Sequence, residues 1–388
     1  MERLYYDDAY LTAFDARVIA VREDGWIALD RSAFYPTSGG QPHDTGSLRW
    51  DGGSARVTDV EAADGAVWHR TDAPVRPGTA VHGAVDWARR WDHMQQHAGD
   101  HLLAGAVWQT LQGVTVGLHT GAEDSSIDIE MPGGRTRLTD EERDALEMLV
   151  NQRVQRDDPI RCWFPSEEEL KTLPLRKRPT VAEHVRIVAM GDYEAVPCGG
   201  THPRSTGQIG PVKILSAAPA RGLMRLRFLA GMRAVRYFQA AARSAEETAA
   251  ALSAPVPGAP EALKREREEQ KEKRSDLENR LLSAALEALR AGKRGNVYAG
   301  HLPYADAGLL VRAAGELIRE KDAAALLSCP GKAGRAIVFA RGENVNADMA
   351  ALLRQCGGRG GGKPDLAQGS APDEGVLDRA AACLIPKK

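Results

Sequence analysis

Between Leu11 and Val85 apolar and polar positions alternate in short runs, such as Ala16-Arg17-Val18-Ile19-Ala20-Val21 and Trp26-Ile27-Ala28-Leu29. Turns interrupt them at Ser38-Gly39-Gly40, Asp51-Gly52-Gly53, Asp64-Gly65 and Arg76-Pro77-Gly78. A two-residue period turns one strand face toward a core, and closely spaced strands with tight turns close into a small barrel. A β-barrel domain with a glycine-rich loop is therefore expected over 1–90. From Asp92 the period lengthens, with His97, His101, Leu102, Gly105 and Trp108 at helical spacing until about Gly113. A strand at Ser126-Ile127-Asp128-Ile129 follows, then a helix opened by Thr139 with Glu142 completing a capping box. Strands are expected at Val185-Arg186-Ile187-Val188, Pro211-Val212-Lys213-Ile214-Leu215 and Leu226-Arg227-Phe228-Leu229. Helices on an antiparallel sheet predict a two-layer α+β domain over 91–231.

Met232 to Leu252 reads as an alanine-rich helix, Ala254 to Pro260 as a break, and Glu261 to Arg290 as a charged helix. No large apolar residue lies between Leu263 and Leu277, so the first half of that second helix is expected to be solvated. Leu277, Leu281, Ala285 and Leu289 then recur every fourth position. That stripe is expected to pack on Met232–Leu252, folded back through Pro255-Val256-Pro257. The result is a helical hairpin arm over 232–293 that spaces the flanking domains, and a homodimer is expected through this arm or through the C-terminal domain. Beyond Gly295 strand and helix signals alternate, including Gly334-Arg335-Ala336-Ile337-Val338-Phe339-Ala340, and predict a small C-terminal α/β domain over 294–388. The whole is a multidomain α+β protein.

A length of 388 residues agrees with several domains. Hydrophobic residues at 43% exclude a disordered chain. Lys+Arg 51 against Asp+Glu 53 gives a net charge of −2, which excludes a uniformly basic nucleic-acid binder and leaves local basic faces. No apolar run approaches the roughly 18 residues of a membrane span, and Met1-Glu2-Arg3-Leu4-Tyr5-Tyr6-Asp7-Asp8 is not a signal peptide. No membrane contact and a cytoplasmic location are expected. Five scattered cysteines, Cys162, Cys198, Cys329, Cys356 and Cys383, read as thiols rather than a disulfide framework.

His93, His97 and His101 stand at successive i, i+4 positions, so two of them can grip one ion from one helix face. Cys198-Gly199-Gly200-Thr201-His202 offers a thiolate and another imidazole in one tight loop. Thiolate sulfur with imidazole nitrogen selects Zn²⁺ over Mg²⁺ or Ca²⁺, so zinc is the expected cofactor.

Five segments in order resemble the editing domain of alanyl-tRNA synthetase and its free-standing relatives, the AlaX trans-editing proteins, in their long form. They are Phe34-Tyr35-Pro36-Thr37-Ser38-Gly39-Gly40-Gln41-Pro42, Gln96-His97-Ala98-Gly99-Asp100-His101-Leu102-Leu103, Met190-Gly191-Asp192-Tyr193, Cys198-Gly199-Gly200-Thr201-His202 and Thr206-Gly207-Gln208-Ile209-Gly210. The resemblance implies His97, His101, Cys198 and His202 as zinc ligands through which catalysis runs. It leaves His93 to support a ligand or to face RNA. Asp100 and Asp192 read either as carboxylates that orient a ligating imidazole or as ordinary surface carboxylates. Four protein ligands describe a closed structural zinc, whereas a catalytic zinc keeps a position open. Either Cys198 is released, or the coordination expands, or the metal shapes the pocket and acts on water indirectly.

Gly39, Gly40 and Gln41 read as a hairpin turn on their own, and the resemblance makes them a pocket wall that senses a substrate hydroxyl. Val114-Thr115-Val116-Gly117-Leu118-His119-Thr120 looks like the family's pocket strand, with Thr115 or Thr120 to bond a seryl hydroxyl. Gly357 to Gly369 resembles the DHH-associated domain that ends these proteins, with Ser370 in place of a frequent glycine. It implies tRNA contacts at Arg359, Gly360, Gly361 and Lys363. Further basic residues gather at Lys171, Arg176, Lys177 and Arg178, and at Arg221, Arg225, Arg227, Arg233 and Arg236, as solvated charge or as a phosphate track for the tRNA(Ala) acceptor stem. No G-x-x-x-x-G-K-S/T loop occurs, and no aminoacylation is expected. The implied activity is zinc-dependent deacylation of seryl-tRNA(Ala), with glycyl-tRNA(Ala) as a second substrate. The alternative is a non-enzymatic tRNA-binding protein with a structural zinc.

Overall fold

The computed structural model describes residues 1–179, 184–331, 334–373 and 375–385. The chain divides into two compact units, Met1–Ala245 and Glu246–Lys388. It is a multidomain α+β protein with a closed six-stranded barrel. Among the described residues no helix is long and apolar enough to cross a membrane.

In the first unit the barrel runs in the order Ala13–Val21, Trp26–Leu29, Ala66–Thr71, Gly53–Ala63, Gly46–Trp50 and Ala80–Val85, antiparallel throughout. Its inward positions, among them Phe14, Val18, Leu29, Phe34, Leu48, Val57 and Val67, form one core. Closure removes the free strand edges that an open sheet would expose.

Asp86 caps the helix Trp87–Leu111 by accepting from the Arg89 amide. This helix begins before the expected Asp92 because its first turn carries Arg90, which conceals the apolar period. Arg90 is buried against Asp44 and donates to the Ala9 and Ala33 carbonyls, tying helix to barrel. From His93 to Val107 the helix is buried on every side, so polar ligands on it are held in a dry environment. It packs on a four-stranded antiparallel sheet, ordered Val212–Ala220, Leu223–Ala230, Ser125–Glu130 and Val114–Thr120, and beside the helix Asp140–Arg156. The capping box at Thr139 and Glu142 is formed. A three-stranded sheet follows: Ile160–Trp163, Ile187–Met190 and Glu194–Pro197. Its middle strand starts two residues after the expected Val185, because Arg186 turns in to donate to the carbonyls of Cys198 and Gly200.

In the second unit the helix Ala259–Ala291 has the expected solvated first half, but its apolar end sits elsewhere than expected. Leu289 is 5% exposed and, with Leu282 and Leu286, packs into the cluster of Leu310, Ala313, Ala314 and Leu317 from the helix Ala307–Leu317. Leu277 is 58% exposed. The i, i+4, i+7 face of 282, 286 and 289 therefore replaces the straight i+4 stripe, since a 3.6-residue turn carries a four-residue series slowly around the helix. The C-terminal sheet is ordered Val297–His301, Ala324–Gly331, Gly334–Arg341, Leu366–Ala371 and Arg359–Gly362, with a parallel first pair and antiparallel remainder. The glycine-rich segment thus contributes the exposed edge strand Arg359–Gly362, with Gly360 opposite Gly369.

Candidate metal centre

The long helix sets His97 and His101 one turn apart on one face, with ring centroids separated by 5.2 Å. The strand Glu194–Pro197 delivers the loop Cys198–His202 against them. The His202 ring then lies 4.7 Å from that of His97 and 4.8 Å from that of His101. Cys198 Sγ is 3.2 Å from His97 Nε2 and 3.4 Å from His202 Nε2. The donor atoms of all four residues fall within 4.8 Å of one another, a set that can hold one metal ion. A glycine is required for this approach: a Cβ on Gly200 would lie 2.3 Å from His97 Cε1.

Neighbours fix the donor orientations. The Thr201 amide donates to Gln41 Oε1 at 3.1 Å, and Gln41 Nε2 donates to Thr201 Oγ1 at 2.8 Å, which sets the direction of the Gln41 amide. Its Oε1 faces His97 Nδ1 at 2.9 Å, so Nδ1 carries the proton and Nε2 is left to the metal. His101 Nδ1 lies 3.2 Å from Glu194 Oε1, at ion-pair distance though not aligned as a hydrogen bond. Glu194 also receives Arg176 at 3.1 Å. Burial opposes ionisation of Cys198, yet the imidazoles of His97, His101 and His202 hold its thiol well below the ordinary range, in the thiolate form a metal needs.

A cleft of about 370 Å³ opens beside three of the four donor residues, His97, His101 and Cys198. Gly39, Thr115, Asp100, Arg176 and Lys177 line it with His97, His101 and Cys198. The other expected pocket residues stand behind its wall. Gln41 is fully buried with its amide engaged by Thr201 and His97. The Gly40 carbonyl accepts from the Thr120 amide at 3.0 Å, and at φ +80° a Cβ on Gly40 would strike the Leu118 carbonyl. Thr120 is buried with its hydroxyl unpartnered, whereas the equally unpartnered Thr115 hydroxyl belongs to a cleft-lining residue.

The remaining candidate residues fall in different places. His93 is 4% exposed and outside the donor set, so it does not face RNA; burial pushes it down to about 4. Asp192 is a surface carboxylate 3.5 Å from Arg153. Asp100 is buried in the cleft, and desolvation raises it to about 6. Arg225, Arg227 and Arg233 are paired with Asp128, Asp124 and Asp92, so these cations brace the sheet and helix instead of forming an open phosphate track. Lys177 faces the cleft, while Lys171, Arg178, Arg221 and Arg236 are exposed. Arg359, Gly360, Gly361 and Lys363 belong to the second unit. Sequence reasoning missed Glu194, whose signal is an acid one strand-length before Cys198, and Arg186, whose signal is a basic residue in an otherwise apolar run.

Three family profiles match the chain: "tRNA synthetases class II (A)" over residues 9–89, "Threonyl and Alanyl tRNA synthetase second additional domain" over 185–227, and "DHHA1 domain" over 295–385. The alanine–tRNA ligase of Methanothrix thermoacetophila is 34% identical over 410 residues, covering 98% of this chain and 43% of that protein. That of Pyrococcus furiosus is 36% identical over 290 residues, covering 71% of this chain and 31% of that protein. The chain thus spans between about a third and under half of these relatives. Among solved structures, the C-Ala domain of Aquifex aeolicus alanyl-tRNA synthetase matches at 20% identity and a TM-score of 0.21, covering 23% of this chain and 86% of that one, a likeness too slight to bear on the fold.

Proposed function

Because the chain is an alanyl-tRNA synthetase-related protein that carries the second additional domain of threonyl and alanyl synthetases, we propose that it is a zinc-dependent aminoacyl-tRNA deacylase acting in the cytoplasm on seryl-tRNA(Ala), and secondarily on glycyl-tRNA(Ala). The observation that carries this reading is the convergence of His97, His101, Cys198 and His202 beside a cleft of substrate size. Zinc fits these residues. Bonds of roughly 2.0 Å to nitrogen and 2.3 Å to sulfur in a tetrahedron put nitrogen and sulfur about 3.5 Å apart, close to the 3.2 and 3.4 Å found. Zinc held there supplies a Lewis acid toward the ester carbonyl and toward water.

The chain's own residues do the rest. Gln41 and Glu194 hold His97 and His101 in place from behind. Thr115 offers an unpartnered hydroxyl to the seryl side chain. An alanyl ester would leave that hydroxyl unpaired, which is the favourable direction for discrimination. Lys177 at the cleft, Arg359 on the exposed edge strand and Lys363 just beyond that strand meet the phosphates of the tRNA, beginning with its acceptor stem. No covalent nucleophile is required, since Cys198 belongs to the donor set and an aminoacyl ester is intrinsically labile.

A second reading, a tRNA-binding protein with a structural zinc, is favoured by the count of donors, because four protein ligands fill a tetrahedral shell. Loss of the ester from seryl-, glycyl- and alanyl-tRNA(Ala), followed with and without a chelator, separates the two. Faster chelator-sensitive loss from seryl- than from alanyl-tRNA(Ala) supports the deacylase; tight binding with no ester loss supports the second reading.

A further inference from the structure

One acid in the cleft has no part in the account above. Asp100 stands between two donor residues on the long helix, is 6% exposed, and lines the cleft. Its Oδ1 is buried with no hydrogen-bond partner. It lies outside the four-residue donor set, and Arg176 on the same wall is already taken by Glu194 at 3.1 Å. A buried carboxylate oxygen without a donor is costly, so a site that retains one is organised to receive a donor from outside.

We propose that Asp100 is the anchor for the α-ammonium group of the aminoacyl ester. The assignment rests on the deacylase reading and adds the chemical class the site selects: esters with a free, protonated α-amine. Such an amine offers three N–H donors and sits one carbon from the ester carbonyl, so a carboxylate beside His101 fixes the acyl group by the end nearest the bond to be cleaved. Thr115 engages the side chain, and the two contacts together orient the α-carbon. N-blocked esters, such as peptidyl-tRNA or formylated aminoacyl-tRNA, lack the ammonium and are spared.

The test compares two esters of tRNA(Ala) on the zinc-loaded protein: the seryl ester, and the ester of the corresponding α-hydroxy acid, in which a hydroxyl of similar size replaces the ammonium. The two esters differ in intrinsic lability, but that difference is common to wild type and variant and cancels between them. The kcat/KM preference of wild type for the seryl ester is expected to collapse about tenfold or more in Asp100→Asn. An unchanged preference would overturn the assignment, since a merely structural role for Asp100 slows both esters alike. Should Asp100→Asn lose zinc, wild type decides by itself. Non-hydrolysable 3′-amide tRNAs carrying serine must compete about tenfold better than those carrying the α-hydroxy acid, and equal competition overturns the proposal. If zinc-loaded wild type cleaves neither ester, the deacylase reading has failed, and Asp100 loses its assignment with it.

Discussion

Gln41→Ala should weaken zinc binding although Gln41 is not a ligand. The Gln41 amide is fully buried and is the shared partner of the His97 Nδ1 proton, the Thr201 amide and the Thr201 hydroxyl. Its removal frees the His97 ring to rotate and loosens the loop that carries both Cys198 and His202. Outer partners of metal ligands are worth about 10- to 100-fold in metal affinity, or roughly 1.4 to 2.8 kcal/mol. Gln41 supports two segments of the centre at once, so the upper half of that range is expected. Gln41→Glu is the control. A carboxylate still accepts from the His97 and Thr201 N–H groups, and the Thr201 hydroxyl can turn to donate, so affinity should remain within about threefold of wild type. Competition with a chromophoric chelator gives both dissociation constants. Unchanged affinity in Gln41→Ala would refute the reasoning. Equal losses in both variants would show that packing rather than the acceptor matters.

Other outcomes follow from the same structure. His69 is buried between Ser32 and the Ile27 carbonyl, and desolvation lowers it to about 4 from 6.5. The unfolded chain takes this proton as pH falls below 6.5 and the native one only near 4, so stability should decline across that window by up to about 3 kcal/mol. His69→Gln should flatten the acid limb in denaturant titrations, and an unaltered limb would contradict the assignment. Leu289→Ala should cost about 2–5 kcal/mol of unfolding free energy, whereas Leu277→Ala, at a position 58% exposed, should change it by under about 0.5 kcal/mol; the reverse order would restore the straight stripe. Lys177→Ala should reduce the salt slope of tRNA binding by about one. Arg233→Ala should lower Tm and leave that slope intact, because Arg233 is spent on Asp92.

The barrel, the long helix and the capping box were legible because each depends on local period or on partners within one helical turn, whereas spacing alone left His93, His97 and His101 open and only the family resemblance singled out the four donor residues. Thr139 and Glu142 need only each other, and His97 and His101 share a face by helical geometry alone. What depended on register between distant segments was not legible. Asp128 opposite Arg225 and Ser126 opposite Arg227 follow from a pairing of strands about a hundred residues apart, so surface cations were read where ion pairs exist. Gln41 reads as part of a turn, and only closure of the barrel against the helix turns its amide onto His97. Arg90 disguised the start of the long helix because its partner, Asp44, lies in the barrel. The charged helix was legible in its solvated half, where no packing competes, and misread where the choice of face depended on the C-terminal core.

The central claim, that one metal held by His97, His101, Cys198 and His202 drives ester cleavage, is tested most directly by metal titration. Zinc is stripped from the protein and returned in measured steps while hydrolysis of seryl-tRNA(Ala) is followed. Activity should be absent at the start, rise linearly and saturate at one equivalent of zinc per chain, with His97→Ala and His202→Ala unable to recover it. Full hydrolysis by the stripped protein, or zinc uptake to one equivalent with no gain in hydrolysis, would contradict it.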